Sequence, residues 1–180
     1  MEQDASGSRG IPLPKLGLET PLPEGMPVSG GWGYTRDEPC IITDDREPDP
    51  DSGEARGLDH AIFFIRERLL LELNAMELER PLARIKWKIV AQELIRSVDG
   101  RPLFDHYKVN LSAFDRDGLH AIEREAGERG QEDSVLRGRS SRLSIDREYW
   151  FDVTRVPGIP DDAGMYMTYS SGMLEAAHGE

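Results

Sequence analysis

Between Ile85 and Phe114, apolar and polar positions alternate with a period of two on both sides of a turn signal. On the way in, Ile85, Trp87, Ile89 and Ala91 alternate with Lys86, Lys88, Val90 and Gln92. On the way out, Tyr107, Val109, Leu111 and Ala113 alternate with His106, Lys108, Asn110 and Ser112. Successive side chains of a strand point to opposite faces, so the pattern predicts a β-hairpin with one apolar and one polar row. The turn falls in Ser97-Val98-Asp99-Gly100-Arg101, where the glycine is free to take positive φ. Setting Ala91 against Tyr107 and Ile89 against Val109 needs an odd loop, which selects Val98-Asp99-Gly100. The same register sets Gln92 against His106, Lys88 against Asn110 and Lys86 against Ser112. A slip of one residue would turn lysines toward the apolar row, so the pairing is strongly specified.

Elsewhere the periods are shorter or mixed. Met1 to Val28 is an irregular arm rich in Pro, Gly and Ser, with Ile11, Leu13, Leu16, Leu18 and Leu22 available to lay it over a domain surface. Cys40-Ile41-Ile42-Thr43 is a short strand. Ala61-Ile62-Phe63-Phe64-Ile65 is continuously apolar, as a strand buried on both faces would be, with a helix following from about Arg66. In that helix Ile65, Leu69, Leu73 and Met76 fall on one stripe; one helix over the whole of His60 to Met76 is the alternative, and Pro81 ends it in either case.

After the hairpin, Asp115 caps a helix whose inner face holds Leu119, Ile122 and Ala126, with Gly127 as its stop. Gly130 to Ser141 is a charged connection. Leu143, Ile145, Tyr149, Phe151 and Val153 then mark a long strand, Met165, Met167 and Tyr169 a weaker last one, and the tail frays from Gly172. The expected fold is α+β: an antiparallel β-sheet of about five or six strands, covered on one face by two helices, with an irregular N-terminal arm. The arm is 1–28, the domain 29–171 and the tail 172–180.

Composition changes this picture in its charge. Of 180 residues, 38% are hydrophobic and 31% charged, and 34 acids outweigh 22 Lys and Arg for a formal charge of −12. Such a chain repels nucleic-acid backbones and anionic membranes. One cysteine, Cys40, excludes an internal disulfide and a cysteine-rich zinc site, in keeping with a reducing cytosol. No apolar stretch reaches the length of a membrane span, so the expectation is a soluble, cytoplasmic protein.

Charge is also segregated. From Arg84 to Ser112 six bases face three acids, whereas from Arg36 to Asp59 nine acids face three arginines. The hairpin's polar row offers Lys86, Lys88, His106 and Lys108 as an anion-binding face; its bland reading is a solvated sheet face with lysines paired to neighbouring acids. Cys40, following Pro39 at the start of an apolar strand, reads as core packing and not as a nucleophile. Asp45, Asp49, Asp51 and Glu54 lack the glycine and alternation of an EF-hand and carry two stiffening prolines, so they read as a solubilising loop. Gly30-Gly31-Trp32-Gly33-Tyr34 lacks the lysine and hydroxyl of a phosphate loop. Its aromatics serve either as a partner contact or as a plug for the core. No serine sits in a G-x-S-x-G elbow, and no pattern assigns catalytic residues, a metal or a cofactor.

Three functional readings compete. The leading one is a non-enzymatic binding protein, an inhibitor or immunity-type partner of a basic protein such as a nuclease toxin. There Asp44, Asp45, Glu47, Asp49 and Asp51 mimic a polyanion, with Trp32 and Tyr34 as further contacts. The alternative is an enzyme or ligand-binding domain that holds an anionic small molecule on Lys86, Lys88 and Lys108, with His106 moving a proton. The third is a homo-oligomeric structural protein that pairs through an exposed C-terminal strand.

Overall fold

The computed structural model describes residues 13–53, 55–76, 82–97, 101–129, 142–159 and 171–174. In chain order they form β1 (Val28–Gly30), β2 (Cys40–Ile42), a turn of 3-10 helix (Arg56–Leu58), α1 (Asp59–Asn74), β3 (Leu82–Arg96), β4 (Leu103–Asp115), α2 (Arg116–Arg129), β5 (Arg142–Asp152) and β6 (Ser171–Leu174). The strands make one sheet in the order β1-β2-β5-β4-β3-β6. The α+β class therefore holds, with six strands and two helices. One junction departs from antiparallel pairing: β2 and β5 run parallel. Parallel neighbours need a long connection, and here α1, the hairpin and α2 all lie between them.

The hairpin is the centre of the sheet, and most of its expected register is present. Lys86 faces Ser112, Trp87 faces Leu111, Lys88 faces Asn110 and Ile89 faces Val109. The register then shifts, because Val90 and Ala91 together oppose Lys108. This β-bulge inserts one residue into β3 and reverses the parity of everything after it. Gln92 consequently faces Tyr107, not His106, and Glu93 takes the place opposite His106. Pairing ends at Arg96 and Leu103, and the expected turn at Val98-Asp99-Gly100 lies outside the described residues.

The segment from 60 to 76 is helical from its start, so the expected strand over Ala61 to Ile65 is not formed. Ala61, Phe64, Ile65, Arg68, Leu69, Glu72 and Leu73 are buried, at the three- and four-residue intervals of a helix face. The continuous apolar run conceals that period because Ile62 is half-buried and Phe63 exposed. This face of α1 lies on the apolar face of the sheet, with the Phe64 ring edge-on to Phe151 at 5.5 Å between centroids. Phe151 in turn meets Tyr107 edge-on at 5.6 Å. Burying a side chain of this size contributes about 1.5–3 kcal/mol. Ile85, Trp87, Ile89, Val109, Leu111, Ala113, Ile145 and Tyr149 belong to the same core.

At the chain ends, Leu13 of the arm is buried in the same core. Gly172 to Leu174, expected to fray, pair with β3 as an edge strand. The expected strand at Met165 to Tyr169 and the connection from Gly130 to Ser141 lie outside the described residues. Helix α2 continues past Gly127 to Arg129, with Leu119 buried. Among the described residues no helix is long and apolar enough to cross a membrane.

Candidate functional site

The segment between β2 and α1 carries most of the acids in question, and it divides them into two groups. Asp44 is buried and takes hydrogen bonds from Arg46 Nε at 2.8 Å and Arg46 Nη2 at 2.6 Å. His60 Nε2, from the first turn of α1, lies 2.8 Å from its Oδ2. The Arg46 contact, with help from His60 and the Arg46 backbone N–H, holds the Asp44 carboxyl far below the ordinary carboxylate range. Asp49 Oδ1 accepts the backbone N–H groups of Asp51 and Ser52, which lowers its pKa, and its Oδ2 meets Arg56 at 3.2 Å. These two aspartates tie the loop down. Asp45, Glu47 and Asp51 are exposed between and beside the anchors. Glu54 lies outside the described residues. Among the described residues, no three His, Cys, Asp or Glu side chains gather as a metal site.

Trp32 and Tyr34 point inward, and Gly33 between them explains why. Gly33 has φ +71, and a Cβ there would stand 2.7 Å from the Trp150 carbonyl oxygen of β5. Only glycine permits that approach, which the Trp150 N–H to Gly33 O bond of 2.9 Å fixes. The flanking side chains then turn under the sheet edge. Trp32 is buried against Phe64, its Nε1 donating to Thr20 O at 3.1 Å. Of the two expected roles, partner contact or core plug, Trp32 occupies the core position.

Tyr34 leads to a buried ion pair that the pattern of charge along the sequence does not reveal. Arg68 and Glu72 of α1 have no solvent exposure, and Arg68 is the largest side chain so buried. Arg68 Nε donates to Glu72 Oε1 at 3.0 Å and its Nη1 to Trp32 O at 2.8 Å. Its guanidinium lies between the rings of Tyr34 and Tyr149, 3.6 and 4.1 Å from their centroids. Tyr34 Oη donates to Glu72 Oε1 at 2.6 Å, and Arg147 Nε donates to Glu72 Oε2 at 3.2 Å. Two buried polar atoms here, Arg68 Nη2 and Tyr149 Oη, have no hydrogen-bond partner among the described residues. Burial raises the pKa of Tyr34 and Tyr149, and it pushes the free Cys40 thiol up to about 12, with Arg68 opposing. A thiol so placed is a packing group.

The bulge creates a second buried polar group on the same face of the sheet. Gln92 Nε2 donates to both oxygens of Asp105 at 3.0 Å and to Tyr107 Oη at 2.7 Å. Burial raises Asp105 to about 6, against the hydrogen bonds from Tyr107 and Gln92.

The opposite face carries Lys86, Lys88 and Lys108, all exposed. Strand β5 docks beside β4 and sets Glu148 against Lys108 and Asp146 against Asn110. With Glu93 from β3, acids therefore stand among these lysines, and the island of positive charge counted along the hairpin is balanced in the sheet. His106 is buried, stacked on Trp150 at 3.9 Å between centroids, with Nε2 3.3 Å from Glu148 Oε2. Burial lowers its pKa, with Glu148 opposing.

Neither a protein-family model, nor a curated protein, nor a solved structure matches the chain.

Proposed function

We propose that this protein is a small acidic binding protein that docks a cationic protein partner through the loop between β2 and α1. Asp45, Glu47 and Asp51 supply the charge that meets the partner. The observation that carries this reading is the division of labour in the loop. Asp44 and Asp49 are spent on holding its shape, through Arg46, His60, Arg56 and two backbone N–H groups. The exposed acids are thereby offered from an ordered loop, which reduces the ordering entropy that association would otherwise lose. The total charge of −12 adds long-range attraction for a basic partner and accelerates encounter. An immunity-type role, with a nuclease or similar basic enzyme as partner, is the specific form of this reading.

Trp32 has no part in the contact, because its ring is in the core. The lysine face is less suited to an anionic substrate than the hairpin sequence suggests, since Glu93, Asp146 and Glu148 share it. The test is capture of the partner from the native host with the full chain as bait. Association with the purified partner is then timed over a range of ionic strength. The expected result is a basic partner whose association rate falls steeply with salt. A partner of acidic charge, or a rate that ignores salt, overturns the proposal.

A further inference from the structure

The N-terminal arm is held by side chains of the body in an unusual way. Arg147 Nη2 donates to Leu13 O at 2.6 Å, Trp32 Nε1 donates to Thr20 O at 3.1 Å, and Tyr34 Oη accepts the Leu16 N–H at 2.6 Å. All three bonds are to the arm's main chain. Among the arm's described residues one apolar side chain goes deep, that of Leu13, and Lys15 lies over the Tyr34 ring at 5.5 Å. The side chains of Leu18 and Glu19 are exposed. Leu13 to Gly17 form neither helix nor strand, so the body side chains serve main-chain groups that no ladder satisfies.

From this we infer that Trp32, Tyr34 and Arg147 form a peptide-binding cleft, and that residues 13–20 are its built-in occupant. The ligand class is a leucine-bearing segment of a partner protein, gripped through its main chain and anchored by one leucine. Main-chain recognition with a single side-chain pocket is how many peptide sites combine affinity with tolerance of sequence. The contact residues of the cleft are themselves positioned. Arg147 is held by Glu72, Tyr34 is held by Glu72 and lies against Arg68, and Arg68 is bonded to the Trp32 carbonyl. The buried Arg68–Glu72 pair therefore acts as the platform on which all three contact residues are set. The arm leaves the body by a turn at Gly25, exposed and with φ +78, where an added Cβ would meet nothing within 4 Å. An arm on such a hinge competes with an incoming peptide and keeps the cleft closed.

The test uses the full chain with a protease site placed at Glu24-Gly25 and cut after folding. A labelled peptide of residues 11–22 is titrated into the nicked protein, with size measured throughout. The expected result is displacement of the native arm by the peptide, with the protein remaining monomeric. Peptides changed at the exposed positions Leu18 and Glu19 bind within about twofold of the parent. A Leu13→Asp peptide binds at least about tenfold more weakly. A peptide with an ester in place of the Leu16 N–H also binds several-fold more weakly, and it tests the Tyr34 contact without altering the protein. Failure of the peptide to exchange overturns the inference, as does equal binding of the Leu13→Asp peptide. Formation of a dimer by exchange of arms between copies overturns it too, because the occupant is then a second copy and not a partner.

Discussion

Arg68 and Glu72 stand one turn apart on α1, joined by a 3.0 Å bond between Nε and Oε1, and neither reaches solvent. Removing two charges from water carries a desolvation penalty of several kcal/mol per ion, which only good geometry and further hydrogen bonds offset. Here those bonds come from Tyr34, Arg147 and the Trp32 carbonyl. The pair thereby links α1 to the glycine-rich loop, to β5 and, through Arg147, to the arm.

Breaking this pair from one side leaves a buried charge short of a partner: Glu72→Leu removes the carboxylate from between Arg68 and Arg147, and Arg68→Met leaves Glu72 to Arg147 and Tyr34. Arg68→Met alone and Glu72→Leu alone are each expected to lower stability by about 3–5 kcal/mol. Arg68→Met combined with Glu72→Leu is expected to recover a large part of that loss, because an apolar pair of similar volume needs no partners. Urea denaturation of the three variants checks this. Single variants as stable as the parent would contradict the cluster's role.

Gly33 tests how the loop is set. Gly33→Ala requires a residue with a side chain at φ +71 and places a Cβ against the Trp150 carbonyl. The expected loss is roughly 1–3 kcal/mol. Trp32 and Tyr34 flank the position, so the variant should also show Trp fluorescence shifted toward that of a solvated indole. An unchanged midpoint and spectrum would mean that the close approach is absent in solution.

Asp105 makes the stability of the fold depend on pH. Its carboxyl titrates near 6 in the folded protein, above its ordinary value in the unfolded chain. The folded state therefore holds its proton more tightly, and stability from this group is complete below about pH 4 and is lost as pH rises through 6. The loss is roughly 3 kcal/mol at most. Asp44 works in the opposite sense, since its depressed pKa gives stability that is lost as acid protonates it. Asp105→Asn should remove the first effect alone. The stability difference between this variant and the parent is expected to change between pH 4 and 7, by denaturation at each pH. Parallel curves would contradict the burial of a titrating carboxyl.

Much of the fold was legible because Trp87, Ile89, Val109 and Leu111 alternate cleanly with lysines and small polar residues, and a core face tolerates no slip there. The bulge was not legible. Val90 and Ala91 are both apolar, so neither reveals which is the extra residue, and Gln92 beyond them reads as a wet-face residue. Its burial beside Asp105 follows only from the shifted parity. Arg68 and Glu72 were missed because charge is ordinarily a mark of the solvent face. The available signal was their position: they fall on the same helical stripe as Ala61, Ile65 and Leu69. The acids on the lysine face were also hidden, since Asp146 and Glu148 lie far along the chain and come beside Asn110 and Lys108 only when β5 docks.

Docking of a cationic partner on the loop between β2 and α1 is tested by a comparison of two variants that lose equal charge. One variant carries Asp45→Asn, Glu47→Gln and Asp51→Asn; the other carries Glu24→Gln, Glu93→Gln and Glu128→Gln, also exposed and equal in charge removed. Surface changes of this kind should move stability by no more than about 0.5 kcal/mol each. The association rate of each with the captured partner is measured against ionic strength. The loop variant is expected to associate at least about tenfold more slowly at low salt, with a flatter salt dependence, and the other variant to stay close to the parent. Equal slowing of the two variants, or none in either, would contradict it.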